Sequence, residues 1–200
     1  MKRGAITLGL ASLVLCTSTV AMADPGKHDG FYMQLQGGLG YYSSSASSGG
    51  FEQSYSGLTI PAALLLGRTA FIPGLSIGGG LIFDTAPSPG AEINGTEVSA
   101  SFKQFLIGLV GFADYYLQPE GGLHLQAYAG WGGLETSTAG GVGGSDPTGL
   151  LLGLGAGYDF FISDEWSFGV MGRLSYGAFS IGGVGFSTIA PAVVATLTYN

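Results

Sequence analysis

The sequence predicts an all-β fold, an eight-stranded antiparallel up-and-down transmembrane β-barrel preceded by a cleaved signal peptide. Three observations predict it. Only 10% of the 200 residues are charged while 46% are hydrophobic, against about 25% charged in ordinary soluble domains, so the chain lacks the polar side chains to cover a water-facing surface. The first residues read as an export signal. No second run of about 20 apolar residues offers a spanning helix, and a closed barrel is the other structure that satisfies its own backbone hydrogen bonds in lipid.

The export signal comprises residues 1–23. Lys2 and Arg3 give a positive start, "GAITLGLASLVLC" is the apolar run, and Ala21-Met22-Ala23 supplies a small-x-small cleavage pattern before Asp24. Cys16 follows Leu15 rather than the small residue a lipid-anchoring site wants, so it reads as part of the apolar run. The barrel is expected to occupy residues 24–200. That part has no cysteine, so no disulfide framework is expected. Without Lys2 and Arg3, four basic residues remain against 13 acidic ones, a net charge of −9. Such a chain has no basic footprint for nucleic acid.

Eight segments alternate apolar and small polar residues with the strand period of two. "FYMQLQGGLGYY" sets Phe31, Met33, Leu35, Leu39 and Tyr41 against Gln34, Gln36, Gly38 and Gly40. "GLTIPAALLLG" turns Leu58, Ile60, Ala62, Leu64 and Leu66 outward. "LSIGGGLIFD" sets Leu75, Ile77, Leu81 and Phe83 against Ser76, Gly78, Gly80 and Asp84. "QFLIGLVGFADYY" is apolar on both faces and does not declare its facing. "GLHLQAYAGW" opposes Leu123, Leu125, Ala127, Ala129 and Trp131 to His124, Gln126 and Tyr128. "LLLGLGAGYDFF" opposes Leu152, Leu154, Ala156, Tyr158 and Phe160 to Gly153, Gly155, Gly157 and Asp159. "WSFGVMGRLSY" opposes Trp166, Phe168, Val170, Leu174 and Tyr176 to Ser167, Met171, Arg173 and Ser175. The last segment carries Val193, Ala195, Leu197 and Tyr199.

Each segment is near the ~9–11 residues that cross a bilayer at a tilt. Short connections (68–74, 118–121, 163–165) alternate with long Ser- and Gly-rich ones (43–57, 85–101, 132–148, 177–188), as periplasmic turns alternate with extracellular loops. Aromatic girdles are expected at Phe31, Tyr115, Tyr116, Phe160 and Trp166 on the periplasmic side, and at Tyr41, Phe83, Trp131 and Tyr176 on the outer side. A soluble lipocalin-like barrel would invert this polarity.

On these segments the chain resembles the small eight-stranded outer-membrane β-barrel proteins, the OmpA/OmpX-like barrel group. The resemblance spans residues 29–200. It implies a Gram-negative outer-membrane location, contact with outer-membrane lipid, and insertion by the barrel-assembly machinery. Family barrels end in an aromatic residue; here Tyr199 is penultimate and Asn200 is last. The chain is expected to be used up by the barrel, with no periplasmic domain following.

The chemistry-bearing residues fall on the inward faces. A fold about 119–120 brings His124 close to Tyr115 and diagonal to Asp114, and one about 163–164 brings Ser167 beside Phe160, diagonal to Asp159. Asp114, His124, Asp159 and Ser167 then gather at the periplasmic end, on paper a Ser/His/Asp set. An eight-stranded lumen is only wide enough for its own side chains, so mutual pairing is the expected role. Arg173, near mid-depth, belongs in the lumen with Asp84, Asp159 or a Gln as partner. The lumen cluster, structural or gating, is thus Asp84, Asp114, His124, Gln126, Tyr128, Asp159, Ser167 and Arg173. The inward glycines either leave a thin water path or make room for Tyr128, Met171 and Arg173 from the facing wall. Arg68 lies on the lipid-facing side at a strand end, where it can snorkel. "GLGAG" has no following helix and is no nucleotide fingerprint, and "GGVGGSD" is one weak copy of a calcium-type glycine repeat.

No catalytic, metal or cofactor site is expected. The expected function is a non-enzymatic outer-membrane barrel protein with a structural or cell-surface interaction role and a lumen largely plugged by side chains. The alternatives are a narrow, porin-like passive pore for small solutes and an outer-membrane lipid-modifying enzyme. Glu52, Glu92, Glu97, Glu135 and Asp146 make the surface-exposed loops acidic, which suits an extracellular ligand. The sequence sets no oligomeric state.

Overall fold

Alternation fixes the strands, and backbone pairing joins them. The computed structural model describes residues 26–48, 51–98, 102–138, 141–142 and 147–200, so the expected signal peptide lies outside the described residues. The strands are β1 (Phe31–Ser48), β2 (Phe51–Thr69), β3 (Leu75–Ala86), β4 (Gly90–Ile93), β5 (Thr96–Val98), β6 (Phe102–Tyr116), β7 (Leu123–Thr138), β8 (Gly141–Val142), β9 (Thr148–Phe161), β10 (Trp166–Ile181) and β11 (Val184–Tyr199). Eight long strands run in the order β1-β11-β10-β9-β7-β6-β3-β2, and β2 pairs back onto β1, closing the barrel. Every neighbouring pair is antiparallel. An even strand number makes this possible: β1 and β11 meet antiparallel only if the count is even.

The facing of each segment follows its alternation. Leu39, Leu58, Leu109, Leu154 and Val193 are exposed on the outside. Gln34, Asp84, Asp114, His124, Asp159 and Arg173 are buried inside. The undeclared fourth segment, β6, turns Gln104, Leu106, Val110, Phe112, Asp114 and Tyr116 inward. Tyr116 therefore does not belong to the periplasmic girdle. The parity that carries Asp114 to the lumen carries Tyr116 with it.

Two registers differ from the sequence reading by one residue. His124 stands opposite Tyr116, not Tyr115, and Ser167 stands opposite Phe161, not Phe160. In the first hairpin the Leu117 amide donates to the Leu123 carbonyl at 3.0 Å. The turn is therefore centred on Glu120, half a residue beyond the assumed centre. A one-residue slip exchanges the two faces of a strand, so only the observed register puts His124 and its neighbour on one side.

The long connections expected over 43–57 and 177–188 are largely paired strand. β1 pairs with β2 up to Ser48 and Phe51, and β10 with β11 up to Ile181 and Val184. Gly182 and Gly183, at φ 56° and 86°, make the second of these a two-residue turn that needs φ > 0 at both positions. Within 85–101, Asn94 and Gly95 turn β4 into β5 in the same way, at φ 48° and 77°. The strands thus rise above the apolar belt as a backbone-paired rim.

Candidate functional site in the barrel lumen

Inward positions from all eight barrel strands meet along the axis, and their polar groups bond to one another in layers. At the periplasmic end two carboxylates organise the layer. Asp114 on β6 accepts from Tyr32 Oη at 2.6 Å, from His124 Nδ1 at 2.8 Å and from Gln126 Nε2 at 3.1 Å. A carboxylate only accepts, so this contact sets the proton of His124 on Nδ1. Asp159 on β9 accepts from Thr196 Oγ1 at 2.7 Å, Tyr116 Oη at 2.8 Å, Thr198 Oγ1 at 3.1 Å and Ser167 Oγ at 3.5 Å. His124 Nε2 lies 3.7 Å from Asp159 Oδ1. The imidazole thus sits between the two acids.

The next layer is a glutamine triangle. Gln36 Nε2 donates to Gln34 Oε1 at 2.7 Å and to Gln126 Oε1 at 2.8 Å, and Gln126 Nε2 donates to Gln34 Oε1 at 2.9 Å. Gln34 Nε2 reaches Thr198 at 3.0 Å, which ties this layer to Asp159. Above it, Arg173 donates from Nη1 to Gln36 Oε1 at 3.3 Å and from Nη2 to Asp84 Oδ1. Higher still, Tyr128 and Ser175 share a hydroxyl contact of 2.6 Å, and Tyr42 donates to Gln104. All these groups are buried.

Of the expected cluster, Asp114, His124, Gln126, Asp159, Ser167, Arg173 and Asp84 are joined in one chain of contacts through Gln34, Gln36 and Thr198. Tyr128 stands apart with Ser175. Of the two roles open to the inward glycines, those at Gly153 and Gly155 of β9 make room for side chains, and these come from adjacent strands rather than the facing wall. A Cβ at Gly153 would lie 2.0 Å from the Tyr128 ring, and one at Gly155 would lie 2.6 Å from Met171 Sδ. The Ser/His/Asp residues are gathered without assembling a triad: Ser167 donates to Asp159, and His124 faces Asp114. Among the described residues no three His, Cys, Asp or Glu side chains are placed to hold a metal ion.

The sequence reading missed Tyr32, Gln34, Gln36, Tyr116, Thr196 and Thr198 as site members, although strand parity signals them, Tyr116 through its place two residues beyond Asp114. It also missed His28. The segment 26–30 crosses the periplasmic mouth outside any strand. Its His28 amide donates to the Pro119 carbonyl at 2.8 Å. The His28 ring is fully buried, stacked on Tyr116 at 3.4 Å and tilted on Phe161 at 4.5 Å. Its Nδ1 is 2.9 Å from Asn200 Nδ2, so Nδ1 is the acceptor. Tyr116 also stacks on His124 at 4.9 Å, making a three-ring column at the barrel floor. Burial lowers the His28 pKa from 6.5 to about 4, against the pull of Asp159, Asn200 and Asp114.

A hollow of about 670 Å³ opens at the outer rim beside Glu52, Glu92 and Phe179, and a small void of about 10 Å³ lies in the outer half of the lumen, beside Asp84, Thr59, Gln104 and Ser175. That is room for about one water. Asp84 Oδ2 has no hydrogen-bond partner.

No protein-family model and no curated protein matches the chain. Solved structures do. The outer membrane protein OprG from Pseudomonas aeruginosa is similar at 10% identity and TM-score 0.52, over 88% of this chain and all of that one. Neisserial surface protein A is similar at 18% identity and TM-score 0.49, over 84% and 96%. The attachment invasion locus protein Ail of Yersinia pestis is similar at 13% identity and TM-score 0.44, over 83% and 98%. At these identities the likeness to OprG establishes the fold: this chain is a small eight-stranded β-barrel of the outer-membrane type.

Proposed function

We propose that this chain is a non-enzymatic outer-membrane barrel with a structural or cell-surface interaction role, its lumen plugged by its own side chains. The observation that carries the reading is the unbroken chain of buried polar contacts from Asp159 to Asp84. It crosses the lumen through five strands of the barrel wall, and the void beside Asp84 at its upper end is about 10 Å³. A group that lost its partner here would be buried and unpaired, at about 1–3 kcal/mol for a neutral group. The network therefore favours the filled state.

The pore reading requires a water path where Arg173, Gln36 and Gln126 stand. The lipid-modifying reading requires a nucleophile that a lipid can reach, and Ser167 and His124 are both fully buried. Glu52, Glu92, Glu97 and Glu135 are exposed on the extracellular strands, which supports the reading that this rim meets a partner; Asp146 lies outside the described residues. Insertion by the barrel-assembly machinery belongs to the same proposal.

Planar-bilayer recording from the purified chain separates the plug from the pore. Quiet bilayers are expected, and steady unitary steps would overturn the plug. Lipid composition separates the enzyme. Cells carrying His124→Ala are expected to match the wild type in outer-membrane lipid A, and a changed lipid A would restore the enzymatic reading.

A further inference from the structure

The floor of the barrel is closed by a piece that is not part of the wall. Residues 26–30 pair in no sheet. Three backbone hydrogen bonds hold them: Gly26 to Asp164 at 3.1 Å, His28 to Pro119 at 2.8 Å and Thr69 to Gly30 at 2.9 Å. One side chain, His28, is inserted into the lumen, and the Lys27–Glu120 pair at 4.0 Å is exposed. Such a segment gains little from cooperativity with the barrel and can open locally at far less cost than the barrel unfolds.

We propose that residues 26–30 form an acid-released strap, docked across the periplasmic mouth by neutral His28 and let go when that imidazole takes up a proton. Every packed element contributes to its surroundings. Tyr116 and Asp114 lie on β6, His124 on β7, and Asp159 and Phe161 on β9. Asn200 follows β11. The turn at 162–165 contributes the Asp164 carbonyl to the strap. Asp114 and Asp159 attract a proton to His28, yet neither bonds to it. Each is already held by hydroxyl or amide donors, and Asp114 also by His124. His28 Nε2 has no partner. Protonation turns Nδ1 from acceptor to donor, so the Asn200 amide must turn its oxygen to the ring to keep the contact. The added proton also places a charge between two aromatic rings out of contact with water.

The sign follows from linkage. The docked ring titrates at about 4 and the free ring at 6.5, so the docked state binds fewer protons. Docking is at full strength above pH 6.5. It weakens toward tenfold for each pH unit below that, to about 160-fold at pH 4 and a limit of about 300-fold at still lower pH. The polar network above the strap is part of the wall and stays in place, so release leaves the barrel folded and its lumen filled. A conducting barrel at pH 7 would defeat the plug and leave the strap untouched.

The test places a nitroxide on Lys27→Cys in a Cys16→Ser background and reads its mobility in micelles from pH 8 to pH 4. The heat-modifiable gel shift monitors the barrel. An immobile label at pH 8, growing mobile below pH 6.5 while the barrel stays folded, is expected. In the His28→Phe variant, which keeps the ring contacts without a titratable nitrogen, the label is expected to stay immobile throughout. A wild-type label that is immobile down to pH 4, or mobile already at pH 8, overturns the proposal. So does a His28→Phe strap that mobilises with the same pH profile.

Discussion

Arg173 sits at mid-depth with one guanidinium arm on Asp84 and the other on Gln36, almost wholly out of contact with solvent. Removing one partner of such a pair leaves the other charged and buried, which costs about 3–5 kcal/mol, whereas replacing both by apolar groups is often nearly neutral. Arg173→Met is therefore expected to lower the unfolding free energy in urea by about 3–5 kcal/mol, and Arg173→Met with Asp84→Leu to recover most of it. A double variant as weak as the single would show that the pair is not the unit. His28 adds a pH dependence of known sign. Its folded pKa is about 4 and its unfolded value 6.5, so its stabilisation is complete above pH 6.5 and is lost as the pH falls toward 4. The wild type is expected to lose stability relative to His28→Phe in that window, by no more than the strap's own docking contributes. Equal pH curves would remove His28 from the account. At this scale the Asp114–His124 contact was legible, because both residues fall on the lumen parity of one hairpin. His28 was not: it precedes the first alternating segment, and no period gives its direction.

Strand β9 shows how glycine and aromatic residues are matched across a hairpin. Gly153 stands opposite Tyr128, whose ring fills the place of a side chain and carries its hydroxyl to Ser175. Gly153→Ala forces that ring away, which for overpacking costs about 1–3 kcal/mol. In a double-variant cycle, Tyr128→Leu is expected to absorb most of that cost, as contacting residues do not add. Additive losses would mean that the glycine serves the backbone alone. The spanning parts of the strands were legible because each has one lipid-facing side. The extracellular extensions were less so. Ser43, Ser44, Ser45 and Ser47 show no apolar alternation, and their pairing rests on backbone hydrogen bonds with hydroxyl contacts of Ser44 to Thr188 and Ser45 to Ser187. The Asn94-Gly95 and Gly182-Gly183 turns did leave a mark, since both are residue pairs that tolerate φ > 0, but they lie inside segments whose composition reads as loop.

The molecule as a whole inverts the usual distribution of polarity. Leu39, Leu58, Leu109, Leu154 and Val193 are each more than half exposed, while Arg173, Asp84, Asp114 and Asp159 are buried. Composition alone made this legible, because 10% charged residues cannot clothe a barrel in water. A charge on the outer face tests it locally. Leu154→Lys is expected to cost about 2–4 kcal/mol in lipid, and no loss would mean that this surface faces water. The most direct test uses the two tryptophans, the only ones in the chain. Trp131 is exposed on the outer-side rim and Trp166 packs edge-on against Tyr199 at the periplasmic rim. In vesicles of brominated lipid, tryptophan fluorescence is predicted to be quenched most by bromines just beneath the headgroups and least by those at the bilayer centre. Fluorescence unaffected by bromine at every depth, with the chain recovered in the aqueous fraction, would contradict a barrel that turns its apolar face to lipid.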